Sequence, residues 1–356
     1  MSDLYLSRAR NWFMHSPPAE WALSRLRETL IGALRQGPIP QHVAFVMDGN
    51  RRYARSHKIE TIEGHHLGFE ALARVLEVCY KCGVKAVTVY AFSIENFNRP
   101  KYEVDGIMQL AKVKLEQLIQ HGELLERYGA SVRVLGQRDL ISPDVLDVVD
   151  RAVATTAHNK ECILNICFPY TSREEITTAI RTTVEDYSTT PRPHNNTFSQ
   201  SRITQKLMSK QGGLSTDGLA SIRESSPAPP QSRTDDLDDS VSSSSTLPPD
   251  SPPSKSENGG NVTIYPNAET ITDETITSHL YTAGCPPLDL FVRTSGVERL
   301  SDFMLWQCHQ DTQIFFLDCM WPEFDLWHFL PVLVEWQRRQ SKLEREERPR
   351  RRVKQA

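Results

Sequence analysis

The sequence predicts an α/β protein, a single domain with a mostly parallel central sheet flanked by helices. Short apolar runs alternate with longer amphipathic stretches along most of the chain. The apolar runs are nearly continuous, as expected for strands buried on both faces by crossover helices. Residues 188–262 carry neither pattern, and strand–helix alternation resumes after them, so they read as an insertion within one domain.

Residues 1–40 precede the first strand. Trp21, Leu23, Leu26, Leu30 and Leu34 recur at helical spacing with Arg25, Arg27 and Arg35 among them. Such an amphipathic segment lies on a membrane surface or docks on its own domain, and both readings stand. The domain proper is expected to fill 41–187 and 263–337. Strands are expected at 42–47, 86–92, 130–136 and 162–168, followed by helices over 63–83, 103–127, 142–159 and 171–186. The first of these long helices puts Phe69, Leu72, Val75, Leu76 and Cys79 on one face, and Gly83 ends it. Ser, Thr, Pro and Asp dominate 188–262, a composition that buries too little apolar surface to order itself. Within it, Asp235 to Asp239 matches the DDxxD diphosphate motif of all-helical synthases. Among serines and prolines it reads only as a solvated acidic run. A helix at 272–283, a strand at 288–293, a helix near 302–310, a strand at 313–318 and a helix from 325 follow. The tail, 338–356, is rich in Arg, Lys and Glu and reads as a solvated helix end or as a partner or lipid contact.

Composition excludes several classes. The 356 residues are 39% hydrophobic and 24% charged, with a net charge of −4, so no bulk basic field points to nucleic acid. No run of about 18 apolar residues suggests a membrane span, and the first residues lack the layout of a signal peptide. The seven cysteines are scattered, and Cys79-x-x-Cys82 has no second pair to complete a zinc site, so they read as core thiols of a reducing compartment.

Three segments carry chemistry. An apolar run stops at Asp48, and Gly49, Asn50, Arg51 and Arg52 follow. A second run leads to Ser93, Glu95, Asn96 and Arg99, and a third to Arg293, then Arg299 and Ser301. In open α/β sheets ligands sit beyond the carboxyl ends of the strands. There a carboxylate holds a hard cation, while turn N–H groups and arginine forks hold phosphate oxygens. This set suggests a metal-assisted site for a polyphosphate substrate. Plainer readings remain open: Asp48 as a helix cap, His65 as a core histidine, Glu95 and Arg99 as a structural ion pair, Arg293 and Arg299 as surface groups. Trp306, Trp321 and Trp327 read as packing residues. GxSxG, GxGxxG and Walker patterns are absent, and no convincing nucleophile or base stands near Asp48 to support a hydrolase.

The ordered motifs HVAFVMDGNRRYA (42–54), GHHLGF (64–69), YAFSIENFNRP (90–100), RTSG-x-x-R-x-S (293–301) and WPEFD (321–325) resemble the cis-prenyltransferases, the undecaprenyl and dehydrodolichyl diphosphate synthases. The wording of MDGNRRYA and AFSIENF resembles the eukaryotic, dolichol-making branch. The resemblance implies the cis-prenyltransferase fold, its sheet and helices enclosing a hydrophobic tunnel walled by the helices at 63–83 and 103–127. It implies that Asp48 binds Mg²⁺ and an allylic diphosphate (farnesyl diphosphate in the dolichol branch). Gly49, Asn50, Arg51, Arg52 and His65 would surround that diphosphate, Asn50 also serving catalysis. Ser93 and Asn96 would lie near the reacting centre, Glu95 and Arg99 would brace their loop, and Arg293, Arg299 and Ser301 would hold isopentenyl diphosphate. The product would be a long-chain dehydrodolichyl or polyprenyl diphosphate for dolichol and protein glycosylation. The location implied is the cytosolic face of the endoplasmic reticulum membrane, or lipid droplets.

Three departures stand out. Thr61 occupies the place of a bacterial Arg, and Thr312 that of a bacterial Glu. The family's C-terminal RxG motif is not found after Trp336. In eukaryotic members an accessory subunit like the Nogo-B receptor supplies it, so a heteromer with this chain as catalytic half is expected. A non-catalytic partner subunit is the alternative, but such partners lose the Asp and arginines kept here.

Overall fold

A parallel sheet needs its strands adjacent in space but far apart in sequence, and the computed structural model shows how this chain arranges that. It describes residues 17–120, 123–188, 267–309 and 311–354, and the fold is that of the unit Met1–Asp186 with Asn267–Ala356. The proposed insertion at 188–262 and its acidic run therefore lie outside the described residues, save Ser188. In order come α1 (Pro17–Leu34), β1 (His42–Val46), α2 (Asn50–His57), α3 (Thr61–Cys82) and β2 (Ala86–Tyr90). A 3-10 turn (Ile94–Asn98), α4 (Lys101–Gln120), α5 (Glu123–Arg127), β3 (Ala130–Leu135), α6 (Pro143–Thr156), β4 (Cys162–Cys167) and α7 (Ser172–Ser188) follow. After the insertion come α8 (Asp273–Ser278), β5 (Leu290–Arg293), β6 (Gln313–Phe316), the 3-10 turn Trp321–Glu323 and α9 (Leu326–Lys354).

The sheet has six strands in the order β3-β4-β2-β1-β5-β6, every pairing parallel. All residues of β1 and β5 are buried, which is why Val43–Val46 and Leu290–Val292 read as apolar runs. Val43 and Phe45 face a core built with α3 and α9, and Ala44 and Val46 face a second core with Phe291, Phe303 and Met304. Around Phe45, the rings of Trp321, Phe324 and Phe329 lie 5.5–6.0 Å away, centroid to centroid. α3 stops at Gly83, whose φ of 103° suits only glycine and whose N–H reaches the carbonyls of Cys79 and Tyr80. A third core joins α4 to α6 through Ile107, Leu115, Val145 and Val149.

Several expectations change. No helix forms at 302–310: turns and bends occupy the described part, because Ser301, Asp302 and Met304 all take positive φ. The stretch 103–127 is two helices, α4 and α5, and 272–283 is the short helix α8 followed by turns. α1 docks its final turns, with Ile31 and Leu34 buried in the α3–α9 core, while Trp21 stays 65% exposed. Gln337 Nε2 donates to the carbonyls of Leu34 (2.7 Å) and Pro38 (2.9 Å), fixing the end of α1 to α9. All seven cysteines are free thiols. Among the described residues, no helix is long and apolar enough to cross a membrane.

Candidate active site

The sheet changes winding direction beside β1: the chain runs first to β2 on one side and much later to β5 on the other. Ligands bind at such switch points. The β1–β5 register pairs Val46 with Arg293, so Asp48, just past the end of β1, faces the side chain that ends β5. Arg293 Nη2 donates to Asp48 Oδ2 at 2.8 Å, and Gly49 N–H donates to Asp48 Oδ1 at 2.7 Å. Thr294 Oγ1 donates to the Asp48 carbonyl at 2.7 Å. Arg293 Nη1 donates to the Arg299 carbonyl and to Ser301 Oγ, each at 2.6 Å, and Arg299 Nε donates to the same hydroxyl at 3.1 Å. One buried guanidinium thus ties the Asp48 loop to the Arg299–Ser301 loop. Arg52 donates to Ser295 and lies 3.8 Å from Asp48 Oδ2.

The turn at Gly49 is forced by space as well as torsion. Its φ is 110°, and a Cβ there would meet the Met320 backbone at 3.1 Å and Ser295 at 3.2 Å. Gly49, not Asp48, is the N-cap of α2. A Cβ on Gly68 of α3 would fall 2.3 Å from Asn50 Oδ1, so this glycine lets α3 pass against the Asn50 side chain. Asn50 Nδ2 donates to the Met47 carbonyl at 3.2 Å, while its Oδ1 is buried with no hydrogen-bond partner in the protein. His65 Nε2 and Arg293 Nε are orphaned in the same way. Three unsatisfied buried polar atoms at one site are the pattern expected where a polar ligand completes the bonding.

Burial alone would raise the Asp48 carboxyl. Hydrogen bonds from Arg293 and Ser295, the Arg293 charge and the Gly49 N–H together hold it below the usual carboxylate range. It is therefore ionised at neutral pH. Burial, reinforced by Arg99 and Arg51, pushes His65 down to about 4, so its imidazole is neutral. Glu103 of α4, only 1% exposed, accepts from Arg99 Nη1 at 3.0 Å and pairs with Arg51 Nε at 3.3 Å. His65 Nε2 is 4.0 Å from it, too far for a hydrogen bond.

Asp48, Asn50, His65, Ser93, Asn96, Arg99, Arg293, Arg299 and Ser301 all line one cavity of about 360 Å³. Glu95 lines it too, while Gly49, Arg51 and Arg52 adjoin it through the contacts above. Apart from Lys114, α3 and α4 give the cavity an apolar lining through Leu72, Ile107, Leu110 and Leu115, joined by Val149 and Phe168. Ser93 caps the 3-10 turn, accepting from Glu95 N–H at 3.2 Å. Asn96 Oδ1 accepts from Arg99 Nη2 at 2.9 Å. The suggested Glu95–Arg99 ion pair does not form: Glu95 meets Arg173 at 3.1 Å, and Arg99 meets Glu103. Trp321 donates from Nε1 to the Gly68 carbonyl at 2.7 Å, and Trp306 from Nε1 to Thr277 Oγ1 at 3.0 Å. Trp327 is 39% exposed. Thr312 Oγ1 donates to the Leu288 carbonyl at 2.7 Å, a structural use of that position.

Sequence reasoning missed Glu103, Ser295, the buried Glu175 and its partner Gln307. Glu175 accepts from Tyr170 and from Gln307 Nε2 at 3.3 Å, and its other oxygen accepts Tyr281 N–H at 2.9 Å, joining α7 to the loops around β5. Burial raises the Glu175 carboxyl above its ordinary range. Its role depends on residues more than a hundred positions away, which no local pattern shows. Glu103 had one available signal, its i,i+4 spacing from Arg99.

A carboxylate and a cluster of guanidinium groups at a sheet switch point, opening into an apolar cavity, define an enzyme that handles a phosphorylated, partly apolar substrate. The Prenyltransf family model, undecaprenyl diphosphate synthase, matches residues 46–224 and 242–344. A dehydrodolichyl diphosphate synthase complex subunit of Schizosaccharomyces pombe is 40% identical over 92% of this chain and 96% of its own length. The human dehydrodolichyl diphosphate synthase complex subunit is 32% identical over 92% of this chain and 75% of its own length. The crystal structure of lavandulyl diphosphate synthase from Lavandula x intermedia, with dimethylallyl diphosphate, shares the fold with a TM-score of 0.57 at 22% identity. That match covers 84% of this chain and 95% of the other. The chain belongs to the undecaprenyl diphosphate synthase family and is a prenyltransferase.

Members of such a family imply Mg²⁺. Among the described residues, no group of three or more His, Cys, Asp or Glu side chains forms a metal cage. The residues fit Mg²⁺ in its other common mode, one carboxylate with substrate phosphates supplying further oxygens. Asp48 is the carboxylate that would hold it: its side chain is 34% exposed and lines the cavity beside Arg293.

Proposed function

We propose that this chain is the catalytic subunit of a cis-prenyltransferase that adds isopentenyl diphosphate units in cis to an allylic diphosphate, farnesyl diphosphate. The product is a long-chain dehydrodolichyl or polyprenyl diphosphate for dolichol synthesis and protein glycosylation. The observation that carries the reading is the sharing of one cavity by Asp48, the Arg293–Arg299–Ser301 cluster and an extended apolar wall. The allylic diphosphate lies at the Asp48–Gly49–Asn50 turn with Arg51, Arg52 and His65 around it. The isopentenyl diphosphate lies at Arg299 and Ser301. Ser93 and Asn96 flank the reacting carbons.

The allylic C–O bond breaks with its electron pair leaving on diphosphate, a C–C bond forms to the isopentenyl group, and a proton is lost. No protein nucleophile is needed. Fixed arginine charges stabilise the departing diphosphate, and holding both substrates in one cavity supplies much of the remaining rate gain. Mg²⁺ held by Asp48 and substrate phosphates would neutralise further negative charge. The neutral His65 ring offers phosphate one N–H hydrogen bond. The growing chain occupies the apolar end as a tunnel, where each buried CH₂ is worth about 0.8 kcal/mol.

Relatives named as complex subunits support a partner subunit, of the Nogo-B-receptor kind, bound to this chain. Exposed Trp21 and Leu26 on α1 support contact with a membrane surface, taken here as the cytosolic face of the endoplasmic reticulum or a lipid droplet. The test is an incubation with farnesyl diphosphate, labelled isopentenyl diphosphate and Mg²⁺, with and without the accessory subunit, followed by chromatography. Labelled long-chain product is expected. No incorporation under either condition would overturn the proposal.

A further inference from the structure

Lys114 sits where a lysine has no evident business. It belongs to the stripe Ile107, Leu110, Ala111, Lys114, Leu115, spaced three or four residues apart, with which α4 lines the cavity. It is only 8% exposed, and among the described residues it makes no ion pair and no hydrogen bond. Its one specific contact is the Phe69 ring of α3, with Nζ 5.2 Å from the centroid. Lysines on apolar surfaces normally lay their stems along them and lift the ammonium into water. This one lines the cavity, about 16 Å along α4 from Glu103. An ammonium beside an apolar lining gains from an electron-rich face, and the Phe69 ring supplies one.

We propose that Lys114 is a specificity-determining residue whose ammonium, lying over Phe69, contacts the double bonds of the prenyl chain and so selects unsaturated over saturated chains. The inference rests on the function proposed above, which places that chain in this cavity. A prenyl chain carries a C=C bond in every unit, and each presents an electron-rich face. The attraction is of the same kind as that between an ammonium and an aromatic ring, and weaker. A saturated chain of equal length fills the cavity equally well but leaves the ammonium with Phe69 alone. Lys114 and Phe69 then act as two sides of a slot that a double bond completes.

The test compares two primers on the full chain, with its accessory subunit where turnover needs it. One is farnesyl diphosphate; the other keeps the allylic double bond and has the distal double bonds reduced. The expected kcat/KM for isopentenyl addition favours farnesyl diphosphate by about threefold or more. Lys114→Met should bring the ratio close to one, and Lys114→Arg should retain the preference. Lys114→Gln replaces Met if thermal melting shows the Met variant unfolded. Equal kcat/KM for the two primers in the wild type overturns the inference, and so does a neutral variant that keeps the wild-type ratio. Either result leaves the prenyltransferase reading intact, whereas a wild type that extends neither primer removes that reading and this inference together.

Discussion

Replacing Glu103 with Gln keeps shape and volume but removes the carboxylate that pairs with both Arg51 and Arg99. The distances are 3.3 and 3.0 Å, and Glu103 itself is 1% exposed. At an effective dielectric of 20, each pair is worth about 5 kcal/mol before desolvation. Two facts reduce this. Arg51 is half exposed, so water screens its share. The amide oxygen of Gln still accepts a hydrogen bond from Arg99. Removing one partner of a fully buried pair costs about 3–5 kcal/mol, so this partly screened pair should lose about 2–3 kcal/mol. Urea denaturation followed by fluorescence, with m-values compared, measures it directly. Glu103→Gln should unfold at clearly lower urea with unchanged m. A variant within about 0.5 kcal/mol of wild type would show that the carboxylate is not what holds the two arginines.

Three further outcomes are expected. Asp48→Ala should remain folded while turnover falls at least ~10²-fold; wild-type turnover in labelled isopentenyl incorporation would remove the metal and diphosphate role. Gly68→Ala should lower activity far more than helix propensity suggests, because the new methyl displaces Asn50 Oδ1; a fully active variant with unchanged melting temperature would contradict that packing. The third concerns pH. Burial lowers His42 to about 4 against an ordinary 6.5, so between these values the unfolded chain binds a proton that the folded chain refuses. Stability from His42 is therefore complete above about pH 6.5 and is lost as pH falls toward 4, by about 3 kcal/mol at most. His42→Asn should flatten that slope in denaturant titrations, and an identical slope in the variant would refute the assignment.

The strands were legible because both faces are covered. A run such as His42–Val46 carries its signal locally, and α3 announced itself by periodicity and by Gly83. The positions that gather at the cavity were legible for a related reason, since strand ends and turn glycines mark where a sheet opens. What escaped depends on distance in sequence. Glu95 finds Arg173, not its neighbour Arg99, and Glu175 gathers Tyr170, Tyr281 and Gln307 from three segments. The stretch 302–310 has helix-compatible residues, yet positive φ at Ser301, Asp302 and Met304 bends it over the sheet, where the Ser172 N–H reaches the Asp302 carbonyl at 2.7 Å. Propensity yields to such tertiary demands.

The pairing of β1 with β5 also governs synthesis on the ribosome. Val43 through Val46 are made early, and their neighbours Leu290 through Arg293 more than two hundred residues later. Until then β1 offers one bare row of backbone donors and acceptors, a template for unwanted strand pairing. A nascent or truncated polypeptide ending before Leu290 is therefore both catalytically silent and sticky, and late arrival of one short strand both seals the exposed edge and delivers Arg293 to Asp48. Premature stop codons ahead of the Leu290 codon should yield aggregates, not partly working enzyme.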